Sequence, residues 1–284
     1  MTGEHGPVRA AGIIGLGLMG GSLARDLAAA GWRVLGADRD PGTVDAATEA
    51  GVIAGPLDPA AGHAGVDLVV VAVPVRAAPG WVRRLAEELS HGVVVTDVGS
   101  TKRSVVEAAE SAGLGPRFVG SHPMTGDHRS GWAAARSGLY SGARVWLSPT
   151  ASTRPDALAA VADLWRTVGA EPDRIDADEH DRLLARSSHL PQLVASALAA
   201  ALAREGVPRE ALGPGGRDTT RLAGSDPEMW LDILVDNADR IGPALDTLLD
   251  TLSRSRDALG TGSEASLHDL LARGRVWFDG GAPE

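Results

Sequence analysis

Gly15-Leu16-Gly17-Leu18-Met19-Gly20 stands between a short apolar run, residues 11–15, and a helical pattern over residues 20–30 that ends at Gly31. A G-x-G-x-x-G alone is a weak signal. After a strand, and opening a helix, it has a mechanism. Gly15 permits the tight turn, Gly17 lets the backbone approach a pyrophosphate, and Gly20 lets helix and strand pack closely. Leu18 and Met19 lie in the same cofactor loop, at a helix N-terminus that faces the anion. Eighteen residues after Gly20, Asp38 closes the next strand, residues 33–37. A carboxylate there accepts from a ribose 2′-OH and repels a 2′-phosphate, which selects NAD over NADP. Arg39 is the counter-signal: it either pairs with a 2′-phosphate or lies as an exposed charge over adenine.

Outward from this motif, the first half alternates strands and helices. Residues 67–73 are an unbroken apolar run rich in valine, the mark of a strand buried on both faces. Residues 93–97 repeat it after a helix, and residues 117–120 form a shorter strand. Strands separated by helices predict an α/β fold, a doubly wound parallel Rossmann sheet. After a strand over residues 144–149 the pattern contains no further convincing strand. Helices are expected at 155–168, 178–205, 227–237, 239–259 and 263–273, with Pro191 kinking or breaking the second. The expected domains are 1–150, dinucleotide-binding, and 151–284, all-helical.

The chain has 284 residues, 44% hydrophobic and 23% charged, so it is globular and long enough for two domains. It has no cysteine, which excludes a disulfide framework and Cys-ligated metal sites. Its 37 acidic and 27 basic residues give a net charge of −10, which argues against nucleic-acid or membrane-surface binding. No signal peptide or spanning segment is evident, so a cytoplasmic protein is expected. Lys102 is the only lysine; every other basic residue is arginine.

In an open α/β sheet, ligands bind at the carboxyl ends of the strands. Three predicted strands deliver polar or turn residues there. Val73-Pro74 follows one, Asp97-Val98-Gly99-Ser100-Thr101-Lys102 the next, and Gly120-Ser121-His122-Pro123-Met124-Thr125-Gly126 the third. Ser100 is a donor to substrate or nicotinamide, or an N-cap for the helix after it. His122 is suited to take a proton from a substrate hydroxyl. In the helical half, His189, alone on an alanine-rich helix, reads as packing more readily than as catalysis. Arg217 and Arg221 read as surface ion pairs or as a carboxylate grip.

These residues carry a resemblance. GLGLMGGSLA (15–24), DVGSTK (97–102), GSHPMTG (120–126), SHLP (188–191) and RDTTRLAGSDPEMW (217–230) resemble the prephenate/arogenate dehydrogenase family of tyrosine biosynthesis, in family order. The likeness spans roughly residues 11–260. It implies a Rossmann domain followed by an all-helical dimerisation domain, hence a homodimer. From the chain's length, neither an appended ACT domain nor a leading chorismate mutase is expected.

The implied reaction is oxidative decarboxylation of prephenate to 4-hydroxyphenylpyruvate, with hydride transfer to NAD. By the resemblance, His122, Ser100 and His189 are catalytic. Arg221, Ser121, Gln192 and His128 bind substrate, and Gly15, Gly17, Leu18, Met19, Gly20, Asp38, Arg39, Val73 and Pro74 bind the cofactor. No metal is implied. Many relatives carry a histidine where Gln192 stands, and a small hydroxyl residue then Glu where Asp127-His128 stands. These departures keep arogenate and an amino-substituted prephenate analogue as alternative substrates. A β-hydroxyacid dehydrogenase would need a lysine in the helical half, which this chain lacks. A dinucleotide-sensing protein would need the glycine motif but not His122 and Arg221.

Overall fold

The structure, a computed structural model, describes residues 9–58, 65–127 and 129–280. Contacts divide the chain into two units, residues 1–237 and 238–284.

The first unit is built on one seven-stranded sheet of β1 (Ala10–Ile14), β2 (Arg33–Ala37), β3 (Leu68–Val71), β4 (Val94–Asp97), β5 (Phe118–Pro123), β6 (Arg144–Pro149) and β7 (Glu171–Arg174). The order is β2-β1-β3-β4-β5-β6-β7. Neighbours are parallel except β5 and β6, which run antiparallel. Every residue of β1, β3, β4 and β5 is buried, which is why β1 and β3 read as continuous apolar runs; β4 and β5 open apolar and end in buried polar residues.

Two cores follow from the alternation of side chains along each strand. Ile13, Val70, Val119 and Leu147 face one layer, against α1 (Leu18–Ala29) and α5 (Pro155–Thr167). Ile14, Val69, Val71 and Val95 face the other, against α3 (Ala78–Glu88) and α4 (Arg103–Ser111). A shorter helix, α2 (Pro41–Glu49), follows β2; Asp40 caps it and Pro41 occupies its first turn.

The expectation of no strand after Pro149 is corrected by β7. Its residues, Glu-Pro-Asp-Arg, carry no apolar periodicity and are mostly exposed. It is an edge strand, where proline and charge are tolerated because one side of the ladder meets solvent.

The chain then turns helical with α6 (Ala177–Leu184) and α7 (Leu190–Arg204), joined by a π-helical turn, Ala185–His189. Pro191 lacks an N–H and its ring crowds the carbonyl one turn back. The wider π turn absorbs this, so the expected kink is realised as a local widening. Short α8 (Pro214–Thr219) and a 3₁₀ turn, Arg221–Gly224, lead to α9 (Pro227–Asp236).

The second unit is a pair of helices, α10 (Ala238–Thr261) and α11 (Glu264–Phe278), linked through Gly262, whose φ is +69°. It leaves Leu252, Leu259, Leu271, Trp277 and Phe278 exposed, the last two by 73% and 75%. Among the described residues, no helix is long and apolar enough to cross a membrane.

Candidate active site

The turn after β1 is made by glycine geometry. Gly15 has φ +94°, and a Cβ there would lie 2.2 Å from the Ala72 carbonyl oxygen at the end of β3. A Cβ on Gly20 would lie 1.8 Å from the Gly15 carbonyl oxygen, so the first turn of α1 closes directly on the loop. Gly17, the N-cap of α1, differs: a Cβ there meets no atom within 4 Å. The space beside Gly17 is open, next to backbone N–H groups with no helical partner, as an anion cradle requires. Asp38 braces this loop. Its Oδ2 accepts from the Leu16 N–H at 2.7 Å and its Oδ1 from the Asp40 N–H at 3.0 Å, leaving acceptor capacity on both oxygens. Arg39 is exposed; Val73 is half-buried and Pro74 exposed, beside the Gly15 turn.

The next strand end carries a buried ion pair. Lys102 is fully buried and its ammonium donates to Asp97 and, at 2.8 Å, to the Ser121 carbonyl. Asp97 also accepts from the Gly99 N–H at 2.8 Å and the Ser121 N–H at 2.9 Å. One carboxylate thus ties the end of β4 to β5 and to the turn that holds Ser100. A charge so buried needs these partners, since an uncompensated one costs several kcal/mol (about 3–5).

His122 stands at the carboxyl end of β5, 9% exposed. Its Nδ1 lies 2.9 Å from His180 Nε2, and His180 Nδ1 lies 2.8 Å from Asp181 Oδ1. Asp181 also accepts from the Lys102 and Arg103 N–H groups at 2.8 and 2.9 Å, so it caps α4 from another helix. Asp181 thus takes the N-cap role expected of Ser100, whose hydroxyl has no hydrogen bond among the described residues. His189, 1% exposed, ends the π turn; its Nδ1 is 3.1 Å from Asn237 Nδ2, and its ring meets Trp230 edge-on at 6.1 Å.

Burial pushes all three histidines down. His122 lies well below the usual range, through burial and then the neighbouring His180, Lys102 and His189. His180 is lowered by burial against the opposing pull of Asp181. His189 falls to about 4, again mainly by burial. Burial also pushes Lys102 down, against the hold of Asp97. A neutral imidazole near pH 7 is the form that can accept a proton.

The other expected residues are scattered. Ser121 precedes His122 and so points to the opposite face of the strand. Its hydroxyl lies 2.7 Å from that of Thr96 and accepts from Trp165 Nε1 at 3.1 Å, inside the core, so the structure does not bring it to His122. Gln192 is 3% exposed and donates to the Leu222 carbonyl at 2.9 Å; its Oε1 is buried with no partner. It therefore anchors the turn that carries Arg221. Arg221 is exposed and has no ion pair among the described residues. His128 lies outside the described residues. His180, Asp181 and Asn237 were not foreseen from the sequence.

The prephenate dehydrogenase nucleotide-binding domain matches residues 23–172, and the prephenate dehydrogenase dimerization domain matches residues 176–273. Prephenate dehydrogenase of Bacillus subtilis (strain 168) is 35% identical over 279 residues, 94% of this chain and 75% of that protein. A solved prephenate dehydrogenase from A. aeolicus, in complex with hydroxyphenyl propionate and NAD+, aligns with a TM-score of 0.86 at 31% identity. It covers 96% of this chain and 98% of its own. Synechocystis arogenate dehydrogenase aligns with a TM-score of 0.82 at 27% identity, covering 95% and 99%.

Proposed function

The chain belongs to the prephenate dehydrogenase family, and from that premise we propose that it converts prephenate to 4-hydroxyphenylpyruvate by NAD-dependent oxidative decarboxylation. The observation that carries the reading is His122: buried, and held through one ring nitrogen at the sheet edge that also bears the glycine turn, where burial favours its neutral form. NAD fits the residues present. The open space beside Gly17, the first N–H groups of α1 over Leu18, Met19 and Gly20, and the Asp38 carboxylate would hold it. When bound, NAD supplies the hydride acceptor.

The chain's own work is to orient the substrate and move one proton. His122 takes the proton of the 4-hydroxyl as hydride leaves ring carbon 4. It returns the proton to the same oxygen as the ring carboxylate departs as CO₂ and the ring becomes aromatic. Ser100, with an unoccupied hydroxyl on the neighbouring strand end, assists at that oxygen. His189 donates to the substrate, and Arg221 grips a carboxylate. The cofactor unit expected over residues 1–150 extends in this proposal to about residue 174, supported by the pairing of β7 with β6, and the substrate and dimer-forming helices follow it. The reading includes a homodimer, supported by the match to a dimerization domain and by the exposed apolar side chains of the second unit. A cytoplasmic location belongs to the same reading.

The test is to follow reduced-cofactor absorbance with purified protein, offering prephenate or arogenate, each with NAD or NADP. Fastest turnover on prephenate with NAD is expected. A preference for arogenate, or for NADP, overturns that part of the assignment, and no turnover on any pair overturns the whole.

A further inference from the structure

The proton on a neutral histidine sits on whichever ring nitrogen its neighbours force to donate. Around Asp181 every such choice is determined. Burial would raise the Asp181 carboxyl, but the His180 ring and the Arg103 and Lys102 N–H groups hold it below the ordinary carboxylate range. An ionised carboxylate only accepts. His180 Nδ1, 2.8 Å away, therefore carries the proton. The Nε2 of a neutral His180 is then bare, and His122 Nδ1, 2.9 Å from it, must donate. His122 is left with a bare Nε2, which has no hydrogen bond among the described residues.

The second histidine is set the opposite way. Asn237 Nδ2 donates to the Asp181 main-chain carbonyl at 2.8 Å, which fixes the amide: flipped, it would set two acceptors against each other. The same nitrogen faces His189 Nδ1 at 3.1 Å, so that ring nitrogen accepts and Nε2 carries the proton.

We propose that Asp181 sets the two histidines in opposite tautomers, His122 as acceptor through Nε2 and His189 as donor through Nε2–H, with His180 and Asn237 as the positioning residues. The roles of those nitrogens toward substrate rest on the function proposed above. The pair then suits a substrate that presents a hydroxyl to one ring and an oxygen acceptor, carboxylate or hydroxyl, to the other. The low pKa values of both rings keep them neutral at pH 7, as the arrangement needs.

Nitrogen-15 NMR of the imidazoles tests this on the full-length protein without ligand, resonances being assigned by single histidine substitutions. The expected spectrum shows His122 protonated on Nδ1 and His189 on Nε2. Matching tautomers, or a His122 protonated on Nε2, overturn the inference. His180→Phe removes the acceptor; His122 should shift toward the Nε2–H form, and kcat should fall about 10–100-fold with both KM values held. His180→Gln, whose amide can accept from His122 and donate to Asp181, should recover most of the loss. Unchanged His122 tautomers in a folded His180→Phe protein would refute the role of His180. If that variant does not fold, the wild-type spectrum still decides. The spectra need no substrate, so inactivity on prephenate leaves the tautomer result intact. Activity with the wrong tautomers leaves the function standing and removes this inference.

Discussion

Arg221 differs from most arginines on this surface. Arg84, Arg136, Arg154 and Arg182 each pair with a carboxylate. Arg221 has no such partner among the described residues, and it opens the turn that Gln192 anchors. A free guanidinium in a chain of net charge −10 makes a local positive point for a dianionic substrate. Charged hydrogen bonds are typically worth about 1.5–3 kcal/mol, so Arg221→Ala should raise the substrate KM by about 10-fold or more. The contact exists before and during hydride transfer, so kcat should change less, and the NAD KM should hardly move. Steady-state kinetics on both substrates checks this; an unchanged substrate KM would remove Arg221 from the site.

At the scale of elements, α6 joins the site to the stability of the sheet domain. Both oxygens of Asp181 satisfy N–H groups at the start of α4, and one also holds His180. Losing a cap costs about 0.5–2 kcal/mol, and orphaning a buried donor about 1–3. Asp181→Ala should therefore lower unfolding free energy by roughly 2–4 kcal/mol in urea titration. A midpoint equal to wild type would show that the cap is dispensable. Asp181 also marks what the sequence conceals. The strands β1 and β3 were legible because burial on both faces leaves unbroken apolar runs, and β4 and β5 because each opens on apolar residues, Val94-Val95 and Phe118-Val119, after a helical stretch. His122 was legible because a strand end and a glycine-rich turn surround it. His180-Asp181 sits in Asp176-Ala177-Asp178-Glu179-His180-Asp181-Arg182, which reads as a solvated helix face. Its partners are distant in sequence, 58 residues for His122 and 78 for the Arg103 N–H. A signal was there: Ala177, His180, Asp181 and Leu184 fall at helical spacing on one face, and all four are buried. Two polar residues on an apolar stripe announce a buried network. β7 gave no such signal, since an edge strand gains its place from pairing with β6 rather than from its own side chains.

For the whole molecule, burying three neutral histidines makes folding depend on pH. In the unfolded chain each titrates near 6.5. In the folded chain each is depressed, His189 to about 4. Between the folded and unfolded values the unfolded state binds more protons, so stability rises with pH across that window. The contribution is complete above about 6.5 and is lost as pH falls from there toward the folded values. For His189 alone the full window amounts to about 3 kcal/mol, at 1.36 kcal/mol per unit. Asp181 acts lower: its depressed carboxyl gives up stability only below the ordinary aspartate range near 4, so it does not compete in the same window. Urea midpoints should therefore fall steadily from pH 7 to pH 5 with an unchanged m value. His189→Gln removes one of the three titrations, so its midpoints should fall with a shallower slope, whatever its absolute stability. Wild-type midpoints that stay flat across this range would mean that the histidines take up protons without opening the fold. The buried, neutral state assigned to them would then be wrong.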